Sequence, residues 1–466
     1  MVETPSVNWT SISIKDVINQ ECRLEASVYN VEARRVRDIL AKGKYPLSYI
    51  CGDDGLCTAY TRGRFKRLWV NHSEFPIYQP SAIKDIYPKP DDYISAKTEV
   101  DIDSLRVHKG QILLTCSGTI GKVGLVSNTL DNQIFSHDLI RINCKNDYDI
   151  GYVYTYLMSE VGNTILCTNN YGSVISHIEA MHLDSVPIPN APIEIKKKIN
   201  ELIQKSYDLR DKSNELIDEA TNLLIAELHL PSKDKLLTCN NNSFSVPLSK
   251  LNYRLDSSFH LPVIDYITSF FDSNYCTVKK LSNKEVSSKI ILAPRFKRVY
   301  VKKGFGQIFI GGKEITQLDP CTKKYLSNAQ HKKLIDEKLK IHENMILITC
   351  SGTIGKVAFV GKHWENWTVN QHVLRVVPVS KDIAGYLAIF LQSIYGEILI
   401  KKYTYGSVID EVDDKQIGEI PIPLPKNTVI QETINRLALQ ANELRYQAYC
   451  KEQDALNILN KDVLGI

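Results

Sequence analysis

The chain has 466 residues, 43% hydrophobic and 24% charged, a composition typical of globular proteins with more than one core. A net charge of +4 is too small to indicate nucleic-acid binding by itself, so such evidence must be local. No apolar run reaches the roughly 18 residues of a membrane-spanning helix, and the polar start is unlike a secretion signal, so we expect a cytoplasmic protein without membrane contact. The 11 cysteines lack CxxC spacing, which predicts reduced thiols and no metal site.

One long segment occurs twice. Residues 113–123 return as 347–357, with Cys116 matching Cys350 at an offset of 234, and the offset becomes 231 upstream, where Arg64 matches Arg295. A unit of this length is a domain, because solenoid repeats run only about 20–45 residues. We therefore predict one domain over residues 1–190 and a second over 246–425.

Each predicted domain has a cluster of cations among aromatic residues. Such clusters can neutralise phosphates, and their arginines can also contact guanine edges. The alternative is a solvated strand and turn, although the recurrence in both halves argues against it. The candidate DNA-binding residues are Arg62, Arg64, Lys66 and Arg67 in the first half and Arg295, Lys297, Arg298, Lys302 and Lys303 in the second.

A Ser-Gly-Thr-Ile-Gly-Lys motif follows the predicted strands Gln111–Thr115 and Met345–Thr349. Its two glycines indicate a tight turn that could present hydroxyls, amides and an ammonium group to a phosphate. It could equally be the tip of a hairpin with its isoleucine buried beneath, and the two interpretations are compatible. The candidate DNA-binding residues here are Ser117, Thr119 and Lys122, with Ser351, Thr353 and Lys356.

A Tyr-Gly-Ser loop comes next in both halves. It could contact DNA or could be a turn that packs back onto its own domain. Its candidate residues are Tyr171, Ser173, Tyr405 and Ser407. His137 and His372 are interpreted as ordinary polar contacts.

Long helices are predicted over 191–230 and 426–466, with a linker at 231–245. Pro192 and Pro425 stand where each helix would begin, since proline is tolerated in the first turn. Heptad spacing gives both helices a leucine row beside a row of small residues, which predicts a close antiparallel coiled coil. The alternative is that each helix covers only its own domain. The predicted interface comprises Ile199, Leu202, Leu209, Leu216 and Leu223 with Ile434, Leu437, Ala441, Leu444, Ala448, Ala455 and Ile458.

Enzyme signatures are absent from the sequence. It contains no GxGxxG after a strand, no Walker lysine loop, no HExxH, no GxSxG and no Asn/Asp-Pro-Pro-Tyr/Phe box. A faint nuclease-like group at Lys89–Asp92 has no carboxylate in its counterpart, Cys321–Tyr325. We therefore predict a non-catalytic chain with no cofactor and no metal. A self-sufficient enzyme and a protein scaffold without DNA reading are the alternatives.

The duplicated order of these motifs resembles the specificity (S) subunit of type I restriction-modification systems over nearly the whole chain. That order is an Arg-Leu-Asp/Glu opening, a Gly-Thr-Ile-Gly hairpin, a Tyr-Gly-Ser loop and a Pro-Ile-Pro exit into a helix. The resemblance implies an α+β fold. Two mixed, mainly β target-recognition domains would be separated by paired long antiparallel helices, with pseudo-twofold symmetry.

The resemblance also implies the partners. They are double-stranded DNA with a bipartite site and two methyltransferase (M) subunits, which would supply S-adenosylmethionine chemistry on adenine. A restriction and translocase (R) subunit is a further implied partner. Similar subunits serve type IIB and other methyltransferase-based phage-defence systems. The basic Arg-Phe-Lys-Arg loop at Arg64–Arg67 departs from the commonest family pattern.

Overall fold

The computed structural model describes residues 11–19, 29, 31–90, 92–168, 177–239, 243–251, 253–321, 323–406 and 408–466. The chain divides into two compact units. Unit 1 comprises residues up to Asp211 together with Ala448–Ile466, and unit 2 comprises Lys212–Gln447.

Unit 1 is a mixed α and β structure. Its elements, in chain order, are α1 (Ile14–Asn19), α2 (Val31–Ala41), β1 (Leu47–Tyr49), β2 (Cys57–Tyr60), β3 (Trp69–Val70), β4 (Pro76–Tyr78), β5 (Asp92–Ile94), β6 (Ile112–Thr115), β7 (Val123–Leu125), β8 (Ile134–Phe135), β9 (Leu139–Cys144), α3 (Asp147–Met158), α4 (Glu160–Thr168), β10 (Pro187–Pro189) and α5 (Ile193–Glu227), the last of which continues into unit 2.

Two four-stranded sheets form the β part of unit 1. Their strand orders are β2-β9-β6-β7 and β3-β5-β4-β8, and β1 pairs with β10 in a separate two-stranded sheet. Strand β6 is apolar at successive positions because both of its faces are covered. Ile112 and Leu114 pack into the cluster formed with the helices, whereas Leu113 packs into a cluster with Tyr78 and Phe135 of the second sheet.

Unit 2 repeats this arrangement. Its elements are α6 (Lys233–Thr238), α7 (Pro262–Ser269), β11 (Cys276–Lys280), β12 (Ser287–Ile291), β13 (Tyr300–Val301), β14 (Gly306–Ile310), β15 (Lys324–Ser327), α8 (Asn328–Leu334), β16 (Ile346–Thr349), β17 (Val357–Phe359), β18 (Thr368–Val369), β19 (Val373–Pro378), α9 (Lys381–Gln392), α10 (Ile394–Lys401), α11 (Asp414–Gly418), β20 (Pro421–Pro425) and α12 (Thr428–Ile458).

The strand orders of unit 2 match those of unit 1 one for one. They are β12-β19-β16-β17, β13-β15-β14-β18 and β11-β20. The predicted α+β fold with a repeated, strand-rich domain is therefore confirmed. The second long helix begins three residues beyond Pro425, because that proline is the last residue of β20 and pairs with Cys276.

Among the residues that the structure describes, one arginine in each unit is completely buried. Arg141 and Arg375 occupy equivalent positions in β9 and β19, and both side chains have no exposed surface. Arg141 donates to the carbonyl oxygens of Leu105 (3.1 Å) and Phe135 (3.5 Å), and Arg375 donates to that of Val373 (2.8 Å). Burial lowers the pKa of Arg141 to about 10 and that of Arg375 to about 9. Each guanidinium group thus links separate segments of its unit through bonds to main-chain carbonyl oxygens.

The two long helices are shared between the units. The part of α5 up to Asp211 lies in unit 1 with the end of α12, and the rest of α5 lies in unit 2 with the beginning of α12. In unit 1 the Ser206 hydroxyl donates to the Ala448 carbonyl (2.8 Å), and in unit 2 Arg445 Nε donates to the Ser213 hydroxyl (3.2 Å). From Ser206 to Ser213 the residue number rises along α5, while that of the partner in α12 falls from Ala448 to Arg445. The two helices therefore run in opposite directions, and the predicted antiparallel pairing is confirmed.

Small residues occupy the centre of this helix pair. Close backbone approach explains this arrangement, since large side chains then project to either side of the contact line. Six small residues along the two helices are fully buried, namely Ser206, Ser213, Ala220, Ala441, Ala448 and Ala455. The predicted Ile199 and Ile434 are also fully buried. Of the predicted leucine row, Leu216 and Leu437 are buried, while the half-buried members are Leu202, Leu209, Leu223, Leu444 and Ile458. The row of small residues is therefore buried more completely than the leucine row.

A buried polar network ties α5 to the end of α12 within unit 1. The Glu452 carboxylate accepts from Arg210 (2.8 Å) and from the Tyr154 hydroxyl (2.8 Å). The Tyr207 hydroxyl donates to that of Tyr154 (3.0 Å) and accepts from the Leu125 amide (3.1 Å). Burial opposes ionisation of Glu452, but the Arg210 guanidinium outweighs it and holds the pKa of that carboxyl below its ordinary value.

In both units an equivalent glycine and asparagine form a hydrogen bond where a shorter helix packs against a long helix, α3 against α5 in unit 1 and α9 against α12 in unit 2. Asn200 accepts from the Gly151 amide (2.8 Å) in unit 1, and Asn435 accepts from the Gly385 amide (2.8 Å) in unit 2. A Cβ on Gly151 would lie 2.5 Å from the Asn200 Cα, and one on Gly385 would lie 2.5 Å from the Asn435 carbonyl. The repeated Gly-Tyr dipeptide in the sequence reflects this close approach.

Among the described helices, none is by itself long and apolar enough to cross a membrane. Helices α9 and α10 pass that test only as a pair, and a 75° bend separates them.

Candidate nucleic-acid interface

The Ser-Gly-Thr-Ile-Gly-Lys motif is a hairpin tip in both units. In unit 1 the Thr115 hydroxyl donates to the Thr119 carbonyl (2.7 Å) and accepts from the Lys122 amide (3.0 Å). In unit 2 the Thr349 hydroxyl accepts from the Lys356 amide (3.0 Å). The glycines have positive φ: +67° and +83° in unit 1, +77° and +92° in unit 2, a conformation that favours glycine.

The isoleucine of each hairpin tip packs against its domain, while polar side chains of the tip face the solvent. Ile354 is buried and Ile120 is half-buried, so the predicted packing beneath the tip is present in both units. The Asn163 side chain also donates to the Gly121 carbonyl (2.6 Å), which fixes the tip on α4. The exposed members of the motif are Thr119, Thr353 and Lys356, and the half-buried members are Ser117, Ser351 and Lys122.

The first cationic cluster lies in an irregular segment between β2 and β3. The Arg62 guanidinium lies over the Tyr60 ring, 4.9 Å from its centroid. Arg67 lies near the rings of Phe65 and Trp69, and its Nη2 donates to the Ser136 hydroxyl (2.9 Å) and lies 3.3 Å from His137 Nδ1. Arg64 and Lys66 are exposed. The segment therefore has two fixed arginines and two solvent-facing cations.

The second cluster repeats this design with different partners. Arg298 lies over the Phe309 ring, and its Nη2 donates to the Gln371 side chain (3.0 Å), which occupies the position equivalent to His137. Arg295 is largely exposed and forms an ion pair with Glu411 (2.7 Å). The remaining candidates, Lys297, Lys302 and Lys303, are exposed. Arg67 and Arg298 occupy equivalent positions in the two units, but Arg67 contacts His137 whereas Arg298 contacts Gln371.

In unit 2 the three predicted motifs converge. Ser351 of the hairpin tip forms an isolated β-bridge with Glu411, and Tyr405 forms another with the same residue. Since Glu411 also binds Arg295, the turn, the Tyr-Gly-Ser loop and the cationic cluster form one surface, which we call the basic face of unit 2. In unit 1, Ser117 forms the equivalent bridge with His177. Tyr171, Ser173 and Ser407 lie outside the described residues.

Two histidines lie within these surfaces. Burial lowers the pKa of His137, and Arg67 and Arg64 lower it further against the opposing charge of Asp138. Burial likewise lowers the pKa of His372, with Arg298 and Arg295 adding to the effect. Both imidazoles are therefore neutral at neutral pH, and an approaching phosphate would favour their protonation.

Within the described ranges, no group of three or more His, Cys, Asp and Glu side chains is placed to hold a metal ion. The cysteines that the structure describes are free thiols.

A family model described as "Type I restriction modification DNA specificity domain" matches residues 56–222 and 299–438. The two matched segments together cover more than half of the chain and include the hairpin tip of each unit. The chain belongs to this family. The resemblance inferred from the motif order is therefore confirmed, and the protein is a DNA specificity subunit by family.

Solved structures of similar proteins include the S subunit of the type I restriction-modification system from M. genitalium. It is 14% identical, with 91% of this chain and 96% of that chain covered and a TM-score of 0.34. Another is the HsdS subunit from Thermoanaerobacter tengcongensis, also 14% identical, with 88% and 97% covered and a TM-score of 0.28. No curated protein matches the chain.

Proposed function

We propose that this specificity subunit reads a bipartite site on double-stranded DNA, with unit 1 contacting one half-site and unit 2 the other. The observation that carries the proposal is the cationic cluster that recurs in both units, each time with one anchored arginine. Arg67 and Arg298 are anchored alike, so their guanidinium groups are held ready for phosphate or guanine. Because the anchors differ, His137 in one unit and Gln371 in the other, the two half-sites would differ in sequence.

The partners follow from the family and are part of the proposal. Two methyltransferase subunits would bind this chain and modify adenine with S-adenosylmethionine, and a restriction subunit would join them. This chain would carry no cofactor and no catalytic residue. The paired helices α5 and α12 would set the distance between the two half-sites.

The test uses the full chain purified with its methyltransferase partner. Methylome sequencing of a host that carries both proteins would give the recognised sequence. Binding to a duplex of that sequence should weaken steeply with salt, because each phosphate contact contributes about 0.9 to the slope of log K against log salt. A contiguous site, or binding independent of salt, would contradict the proposal.

Alanine substitutions separate DNA reading from a scaffold role. One variant replaces the six cations of the two clusters: Arg64, Lys66, Arg67, Arg295, Lys297 and Arg298. It should lose DNA binding and keep its methyltransferase partner. The control replaces the exposed Lys284, which precedes strand β12, and the exposed Lys289 within that strand, and it should bind DNA normally. A scaffold would lose nothing in either variant, and turnover by the isolated chain with S-adenosylmethionine or a metal would instead indicate an enzyme.

A further inference from the structure

The positive charge of the chain is concentrated in one segment of unit 2. Residues 292–340 contain 12 lysines and arginines against 4 carboxylates, a net charge of +8, which exceeds the +4 of the whole chain. The equivalent segment of unit 1, residues 61–106, contains 8 against 7, a net charge of +1. The segments end at equivalent places, because Arg106 and Lys340 form matching bridges with β8 and β18. The two units therefore differ in charge at the same place in the fold.

Two exposed lysines of this segment lie in a tight turn. Lys302 and Lys303 follow β13, and the Phe305 amide donates to the Lys302 carbonyl (3.2 Å) to close the turn. Gly304 has a φ of +94°, the conformation that such a turn requires at this position. Phe305 is 74% exposed. The turn thus presents two cations and an aromatic ring to the solvent.

Three further exposed lysines adjoin this turn. Strand pairing places Lys324, the first residue of β15, beside the end of β13. Lys332 and Lys333 lie on α8, whose His331 Nε2 accepts from the Val299 amide (3.2 Å) immediately before β13. We call this group of five exposed lysines the lysine surface, and its members are Lys302, Lys303, Lys324, Lys332 and Lys333.

The carboxylates near the lysine surface do not balance its charge. Asp319 and Asp336 form ion pairs with two other lysines of the segment. Glu314 accepts from a main-chain amide (2.9 Å), and Glu337 is exposed beyond the end of α8. Glu411, on the neighbouring loop, pairs with an arginine of the cationic cluster (2.7 Å). The lysine surface therefore keeps an excess of positive charge.

Unit 1 has different side chains at the equivalent positions. Asn71 and His72 replace the two lysines of the turn, and the strand register places Asp92 where unit 2 has Lys324. Because both units have the same strand orders, the shared fold does not require the lysines. Their mutual repulsion is unfavourable, and a bound polyanion would relieve it. An aromatic ring among the lysines favours nucleic acid, which combines phosphates with the flat faces of bases.

We propose that the lysine surface is the main phosphate-binding surface of the chain, through which unit 2 binds duplex DNA irrespective of base sequence. The inference rests on the proposed function. Phosphate contacts supply affinity, whereas base contacts supply sequence specificity. The two units would therefore contribute unequally, with unit 2 providing most of the salt-dependent affinity.

The experiment uses the full chain with its methyltransferase partner and two duplexes of equal length, one with the recognised site and one without it. The variant combines Lys302→Gln, Lys303→Gln and Lys324→Gln. The slope of log K against log salt should fall in magnitude by about 2.7, since each phosphate contact contributes about 0.9. Binding at about 0.15 M salt should weaken by roughly a hundredfold on both duplexes, so the preference for the recognised site is unchanged.

A matched control removes the same charge from unit 1. It combines Lys42→Gln, Lys97→Gln and Lys109→Gln, all at exposed positions, and it should keep the wild-type slope. A second variant, Lys332→Gln with Lys333→Gln, tests the α8 part of the lysine surface by itself. Its slope should fall by about 1.8.

The possible outcomes separate this inference from the proposed function. If wild type binds its site with a steep salt slope and both lysine variants keep that slope, the lysine surface is wrong and the proposed function stands. An equal fall in the control would show an effect of net charge alone and would also overturn the inference. The same holds for a loss confined to the recognised duplex, which indicates base reading, and for loss of the methyltransferase subunit, which indicates protein docking. Failure of wild type to bind DNA would refute the proposed function itself.

Discussion

Removing the Glu452 carboxylate should be one of the most destabilising single changes in unit 1. Glu452 is 3% exposed, and its partner Arg210 is 11% exposed. Glu452→Ala would leave the guanidinium buried without its counter-charge and the Tyr154 hydroxyl without its acceptor. Breaking a buried ion pair from one side costs about 3–5 kcal/mol, and the lost tyrosine hydrogen bond adds about 1 kcal/mol.

Thermal and urea unfolding of the full chain would measure this loss, followed at the transition that belongs to unit 1. The expected fall in Tm is roughly 8–24 °C for a total loss of about 4–6 kcal/mol, since a unit of this size shifts by about 2–4 °C per kcal/mol. The matched control is Glu452→Leu combined with Arg210→Met, which removes both charges and should lie within about 1 kcal/mol of wild type. A loss below about 1 kcal/mol for Glu452→Ala, the value of an exposed ion pair, would refute the reasoning.

The pH dependence gives an independent check. The pKa of Glu452 in the folded protein lies below its ordinary value of 4.5, so its stabilisation is complete above that value. The stabilisation should disappear as the pH falls through the lower, folded-state pKa. Glu452→Gln should therefore remove part of the acid sensitivity of wild type below about pH 4.5.

Three further predictions concern packing, protonation and spacing. Gly151→Ala and Gly385→Ala should each cost about 1–3 kcal/mol by overpacking, whereas Gly63→Ala, with open space around it, should be nearly neutral in the same unfolding assay. His137→Gln copies the residue Gln371 of the other unit, so it should retain DNA binding. It should flatten the rise in affinity between pH 8 and pH 6, because bound phosphate raises the pKa of the imidazole and binding then takes up a proton. An unchanged pH profile would count against His137 lying at the phosphates. One heptad added to both long helices, about 10 Å at helical rise, should lengthen the recognised gap by roughly three base pairs, and an unchanged gap in the methylome would contradict the spacing role.

The sequence predicts the duplicated fold well because the same order of motifs occurs in both halves of the chain. The offset between Cys116 and Cys350 anticipates two units with identical strand orders, and heptad spacing anticipates the paired helices. It does not predict which of the two rows is buried more completely, because the leucine row and the small-residue row run side by side along each helix. The small residues are fully buried, whereas most of the leucine row is half-buried. Small residues allow two helix backbones to approach closely.

Single buried polar groups are harder to predict. Arg141 and Arg375 stand among apolar strand residues. The buried Asn435 and the half-buried Asn200 stand in helices, where solvent exposure would be the ordinary expectation. Their partners are main-chain atoms, some of them 36 to 50 residues away, and no local sequence pattern records such a contact. The offset does align Arg141 with Arg375, and the duplication is the signal that could have indicated their importance. In the candidate site, Glu411 was missed because its counterpart is His177 rather than an acidic residue.

The division of α12 between the units has a consequence for biosynthesis. Unit 2 is a continuous stretch of chain, whereas unit 1 needs Ala448–Ile466 to complete its core. Ala455 and Leu459 belong to the same hydrophobic cluster as Ile112 near the start of the chain. During translation, the residues up to Asp211 are synthesised first, but the core of unit 1 is complete only after Ala448–Ile466 have left the ribosome. Unit 1 is therefore expected to finish folding after unit 2, although its synthesis begins earlier.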